Sequence, residues 1–156
     1  MKKPKFKNYS NKCLPMFLAI AVLVVLAPSI FAQSTDPDKP TVLTGNTISS
    51  TNSSNLSEEN TYYYAFFVNK GTLTWTLDLT PTNKSDAGGL LQWTLLTPKF
   101  EKLKYENLSA QGSPQRQVKD LPVTIKRRII LKIVVSGNVS YKIKLSGSAV
   151  DRGSIK

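Results

Sequence analysis

Residues 71–80 read GTLTWTLDLT, and this stretch decides the fold class. Leu73, Trp75, Leu77 and Leu79 alternate with Thr72, Thr74, Thr76, Asp78 and Thr80. Successive strand residues point to opposite faces, whereas a helix would scatter this pattern around its surface. The stretch is a strand with one apolar and one hydroxyl-rich face. Presenting Trp75 to a ligand would expose three leucines with it. At about 25 cal/mol per Å² of apolar surface, burying that face contributes several kcal/mol. Trp75 is therefore expected in the core, with the threonine row toward solvent.

Outward from this strand the same signal recurs. LLQWTLLT (90–97) places Trp93 on a face with Leu91 and Leu95, again a core pattern, and Pro98 ends it. TYYYAFFV (61–68) carries aromatics on both faces, so Tyr63 or Tyr64 is expected outside; Asn69-Lys70-Gly71 marks a turn. RRIILKIVV (127–135), a turn at 136–138 and VSYKIKLSG (139–147) close the chain as a basic hairpin. Weaker strands are expected in TVLTGNTISS (41–50), in FEKLKYENL (100–108) with Phe100, Leu103 or Tyr105 partly buried, and in QVKDLPVTI (117–125). Pro122 marks the last as an edge or a bulge. Residues 50–60, 81–89 and 110–117 read as polar loops, and the Asn-x-Ser sequences at Asn52, Asn55, Asn83, Asn107 and Asn138 are assigned to such loops. Seven or eight strands without a helix describe an all-β protein, an antiparallel β-sandwich.

The first 32 residues have another character. Lys2, Lys3, Lys5, Lys7 and Lys12 precede an uncharged run, Leu14–Leu26, and a small-residue end at Ala32. This is the pattern of a secretory signal cleaved between Ala32 and Gln33. The run falls short of the roughly 20 apolar residues of a spanning helix. Export to the periplasm or outside the cell is expected, with no membrane association after cleavage. Five of the 21 Lys and Arg residues lie in this leader, which leaves 16 against 10 acidic residues and lowers the net charge from +11 to +6. No nucleic-acid-binding module accompanies that charge, and attraction to anionic envelope polymers is the simpler expectation. The expected organisation is a leader at 1–32, a flexible lead at 33–40, the sandwich at 41–148 and a frayed tail at 149–156.

The order of these elements resembles the bacterial pre-peptidase C-terminal domain. The resemblance spans roughly residues 40–147: a short strand near Gly45, TYYYAFFV with its Asn69-Lys70-Gly71 turn, TLTWTLDLT, LLQWTLLT, a basic-apolar strand, a glycine turn and Tyr141-Lys142-Ile143-Lys144-Leu145. Thr97-Pro98-Lys99 stands where that family commonly has Asp-Gly. The resemblance implies a jelly-roll-like sandwich and a non-catalytic accessory domain of secreted proteins, often attached to a peptidase. Some relatives bind collagen, carbohydrate or calcium.

The chain has no histidine, and its one cysteine, Cys13, precedes the apolar run of the leader. Histidine triads, cysteine nucleophiles and the usual zinc and copper sites are excluded. Asp36, Asp38, Glu58, Glu59 and Asp86 are candidate calcium ligands without a spacing motif, so no cofactor is expected. No carboxylate pair is brought together, and no enzyme is expected. The basic hairpin supplies Arg128, Lys132, Lys142 and Lys144, and its register would set Lys132 opposite Lys144. Opposed like charges cost stability; they either attract a polyanion or keep an edge from aggregating. Tyr63 and Tyr105 are the candidate contact aromatics. The expected function is a secreted, non-catalytic module that binds or adheres to an extracellular polymer, a polysaccharide or a matrix or envelope protein. The alternative is a structural or chaperone-like partner domain of a secreted enzyme such as a peptidase.

Overall fold

The computed structural model describes residues 33–83 and 88–150. The leader with Ala32, Asp86 in the 82–88 connection and the tail beyond 150 lie outside the described residues.

Among the described residues there are nine strands: β1 (Thr41–Val42), β2 (Thr47–Asn52), β3 (Asn60–Val68), β4 (Gly71–Pro81), β5 (Gly89–Leu96), β6 (Lys102–Ala110), β7 (Gln115–Val123), β8 (Arg127–Gly137) and β9 (Val139–Ser146). No helix occurs among the described residues. The ninth strand arises because residues 41–52 are two strands in different sheets. A bend at 43–46 separates them, tied down where Leu145 N donates to Asn46 O at 2.8 Å.

The strands form two sheets, β1-β3-β8-β5-β6 and β2-β9-β4-β7. Apart from β1, which pairs parallel with β3, all pairings are antiparallel. Only β5 and β6 are sequence neighbours within one sheet; every other connection crosses the sandwich. This interleaving of two four-stranded sheets is a jelly roll, with β1 added at one edge.

Crossing follows from the apolar rows. Leu73, Trp75, Leu77 and Leu79 on β4 face inward against Leu91, Trp93 and Leu95 on β5 and Ile129, Leu131, Ile133 and Val135 on β8. Both tryptophans are buried, as the period-two pattern requires. Pro122 sits on β7, an edge strand, where its missing donor interrupts no second ladder.

Two expectations change. Residues 136–138 do not close a hairpin: β8 and β9 belong to opposite sheets. Lys132 lies opposite Tyr63 and Thr94, and Lys144 opposite Thr47 and Thr76, so the two lysines never face each other. The reason is burial on both strands: Tyr141, Ile143 and Leu145 meet the β8 row across the core instead of beside it. Second, the polar stretch 50–60 is not all loop. Asn52 ends β2 on the core side and is buried, donating to Gly137 O at 2.7 Å and accepting from Asn60 Nδ2 at 2.8 Å. Asn107 likewise lies within β6. At the ends of the described segment, residues 33–34 and 149–150 are bound to the sandwich. Ser34 bridges Tyr63, Gln33 Nε2 donates to the Tyr141 hydroxyl at 3.2 Å, and Val150 bridges Val68 beside a fully buried Ala149. Ser34, β1 and Val150 together cover the outer edge of β3, the kind of exposed strand edge that promotes aggregation.

Candidate functional site

The sandwich has two outer faces, and the six expected contact residues divide between them. On the five-stranded sheet, alternation turns Tyr62 and Tyr64 toward the core and Tyr63 outward. Tyr63 lies opposite Lys132, Lys132 opposite Thr94, and Thr94 opposite Tyr105. These four side chains form one transverse row across β3, β8, β5 and β6. With strands about 4.8 Å apart, the row spans roughly 14 Å. Tyr63 and Lys132 are half-buried and Tyr105 is 43% exposed. Lys102 Nζ stands 5.8 Å from the Tyr105 ring centroid, within cation–π range. Arg128 shares this face further along β8, opposite Phe67. Phe100 is exposed and Leu103 packs partly on the core, which separates the three alternatives left open for this strand.

Lys142 and Lys144 project from the other sheet. Lys142 lies between Ser49 and Asp78, and Lys144 between Thr47 and Thr76. The face is rich in hydroxyls and carries no aromatic; Ser49, Thr51, Thr80, Ser140 and Lys142 rim a shallow depression. Its charges are partly compensated. Arg116 Nη2 donates to Asp78 Oδ2 at 3.1 Å. That hydrogen bond, with the charges of Arg116 and Lys142, holds the Asp78 carboxyl below its usual range. Thr74 donates to Asp120 Oδ1 at 2.7 Å.

A third polar group closes the side of the sandwich between edge strands β6 and β7. Glu106 and Gln117 occupy core-facing positions, opposite Trp93 and Leu77. Trp93 Nε1 donates to Gln117 Oε1 at 3.3 Å. Glu106 joins Lys104 at 2.9 Å and, across the sheets, Lys119 at 3.6 Å. The Lys104 hydrogen bond and the two ammonium charges draw the Glu106 carboxyl down. This cluster is not among the residues expected from the sequence. Polar residues at inward parity on β6 and β7 were its one signal.

Inside, Tyr64 and Tyr141 meet between the sheets. Burial, and next the neighbouring Tyr141, push the Tyr64 phenol far above the tyrosine range; burial also raises Tyr141. The Tyr64 hydroxyl lies beside Tyr141 and Gln33 yet meets neither in hydrogen-bond geometry. Of the calcium candidates, Asp36 Oδ1 accepts from Asp38 N at 2.9 Å and Glu58 Oε1 accepts from Asn55 Nδ2 at 3.3 Å. Among the described residues no three acidic side chains converge.

No family model matches the chain, and no curated protein matches it. Among solved structures, an arabinose-bound MgGH51 α-L-arabinofuranosidase is similar at a TM-score of 0.41 with 13% identity, over 61% of this chain. The chain spans 18% of the length of that protein, and at this score the likeness decides neither the fold nor a ligand.

Proposed function

We propose that the chain is a secreted, non-catalytic β-sandwich module that binds an extracellular polysaccharide across the outer face of the five-stranded sheet. The observation that carries this reading is the Tyr63–Lys132–Thr94–Tyr105 row. An aromatic at each end offers an apolar face to a sugar ring, while Lys132 and Thr94 between them supply hydrogen bonds. Lys132 and Arg128 favour a polymer bearing carboxylate, sulfate or phosphate groups. The opposite face offers cations without aromatics, and its lysines stand beside Asp78 and a field of hydroxyls. The reading agrees with the accessory role that the pre-peptidase C-terminal resemblance implies.

The test is retention on insoluble acidic and neutral polysaccharides. Tyr63→Ala combined with Tyr105→Ala is expected to lower retention on an acidic polymer at least tenfold, which corresponds to about 1.4 kcal/mol. Lys142→Ser combined with Lys144→Ser is expected to leave it within about twofold. The opposite ranking, with the lysine pair dominant, would sink the row as the binding site. Specific co-purification with one secreted protein and indifference to every polymer would favour the partner-domain alternative.

A further inference from the structure

One end of the sandwich carries a second surface, which shares Lys102 and Arg128 with the polymer face and adds loop residues that face does not use. It comprises the connections 43–46, 69–70, 97–101 and 124–126, together with the 147–150 segment after β9. Register places them together: Val68 is level with Arg127, Leu96 with Ile130 and Lys102, and Val123 with Gly71.

Charge is the first feature. These loops and the strands leaving them begin with Lys70, Lys99, Lys102, Lys126 and Arg128, and among the described residues Glu101 is the one acidic side chain on those loops. The opposite end carries Glu58 and Glu59 on its 53–59 loop. Among the described residues, the connecting loops of the two ends therefore differ in charge.

Exposed apolar bulk is the second. Phe67, Phe100 and Ile125 are 45%, 43% and 61% exposed. Phe100 and Ile125 occupy neighbouring loops, and Phe67 lies at the end of β3 opposite Arg128.

The third feature is the conformation of Phe100. Thr97 N donates to Glu101 O and Phe100 N to Thr97 O, each at 2.9 Å. Thr97 Oγ1 accepts from Lys99 N and Glu101 N at 3.2 Å. This is a fixed hairpin turn whose last position is left-handed, and Phe100 occupies it at φ 62°. Hairpins of this kind usually give that position to glycine, because a side chain there is strained. Phe100 thus holds a left-handed backbone while 43% of its surface stays exposed.

We propose that this end docks on an anionic lipid surface, with Phe100 and Ile125 entering the boundary between headgroups and acyl chains while Lys99, Lys102 and Arg128 meet lipid phosphates. A membrane offers an anionic layer above an apolar one, which matches cations ringing apolar loop tips. A soluble polyanion has no apolar layer for Phe100. A protein partner would need a surface shaped to separate loop tips, whereas a lipid surface deforms around them. This departs from the expectation of no membrane association, which considered only spanning segments; among the described residues no helix is long and apolar enough to cross a bilayer.

The experiment is flotation of the exported protein with vesicles of phosphatidylcholine alone and of phosphatidylcholine with phosphatidylglycerol, across a salt series. Binding is expected only to the mixed vesicles and should fall as salt rises. Phe100→Gly is expected to reduce the bound fraction about tenfold and, by relieving the turn, to raise Tm. Ile125→Ser is expected to weaken binding in the same direction. Neither residue belongs to the polymer row, so polysaccharide retention should not change. Failure to bind mixed vesicles overturns the proposal. So does equal binding by wild type and Phe100→Gly, or a fall in Tm for that variant, which would make Phe100 a packing residue. Binding to soluble dextran sulfate that matches vesicle binding and ignores Phe100→Gly would also overturn it, leaving a plain polyanion surface.

Discussion

Trp75 and Trp93 stack across the sandwich with ring centroids 4.8 Å apart and planes 29° from parallel. They come from opposite sheets, so this contact joins the two layers at the core. Their N–H groups differ. Trp93 Nε1 reaches Gln117, whereas Trp75 Nε1 is buried without an acceptor among the described residues. Trp75→Phe therefore removes an unsatisfied donor, while Trp93→Phe removes a made hydrogen bond to the Gln117 oxygen. Urea unfolding should find Trp93→Phe the more destabilising by about 1 kcal/mol. Either change to Ala should cost about 3–5 kcal/mol. Equal losses for the two Phe variants would contradict the asymmetry.

The placement of Lys132 and Lys144 on opposite faces makes them independent. Single and double Ser variants should give unfolding free energies that add within about 0.5 kcal/mol. A larger coupling would require the hairpin contact that the sheet order denies.

Gly137 is the point where the chain leaves one sheet for the other. Its φ is 81°, and a Cβ there would stand 2.3 Å from Gly88 O and 2.7 Å from Gly89 Cα, both backbone atoms that cannot swing aside. Gly137→Ala should destabilise by more than about 1 kcal/mol and lower the yield of folded protein. An Ala variant as stable as wild type would show that the crossing adopts another backbone.

Acid should weaken the fold through Asp78 and Glu106, whose carboxyls both lie below their usual values. A group depressed in the folded state stabilises above its unfolded pKa, about 3.9 for Asp and 4.3 for Glu. That contribution is lost as pH falls through the lower folded value. Stability measured by urea at stepped pH should therefore drop below about pH 4.5. Asp78→Asn with Glu106→Gln should flatten that slope and leave neutral-pH stability close to wild type, as befits ion pairs within reach of solvent. An unchanged slope would locate the acid sensitivity elsewhere.

Much of the fold was legible where polarity alternates. GTLTWTLDLT, LLQWTLLT and the β8 and β9 segments announced strands, inward faces and two core tryptophans. Asn52 was missed because composition marks Ser50–Asn60 as a loop, while its burial depends on Gly137 and Asn60, 85 and 8 residues away. The binding candidates were legible as residue types and illegible as a set. Tyr63, Lys132 and Tyr105 come from three strands and fall into one row only through register.

The sequence by itself determined that this chain is built from strands, which side of each faces inward, and that histidine and cysteine chemistry is absent from the domain. Those properties are local, because period-two alternation and residue type can be read within one segment. Only the tertiary structure decided that β8 and β9 part into different sheets, that Lys132 stands with the tyrosines and away from Lys142 and Lys144, and that Phe100, Ile125 and the cations share one end. A hairpin and a crossing present the same alternation to a reader of the chain. The choice between them rests on burying both apolar rows at once, a free energy that belongs to the assembled sandwich and to no single strand.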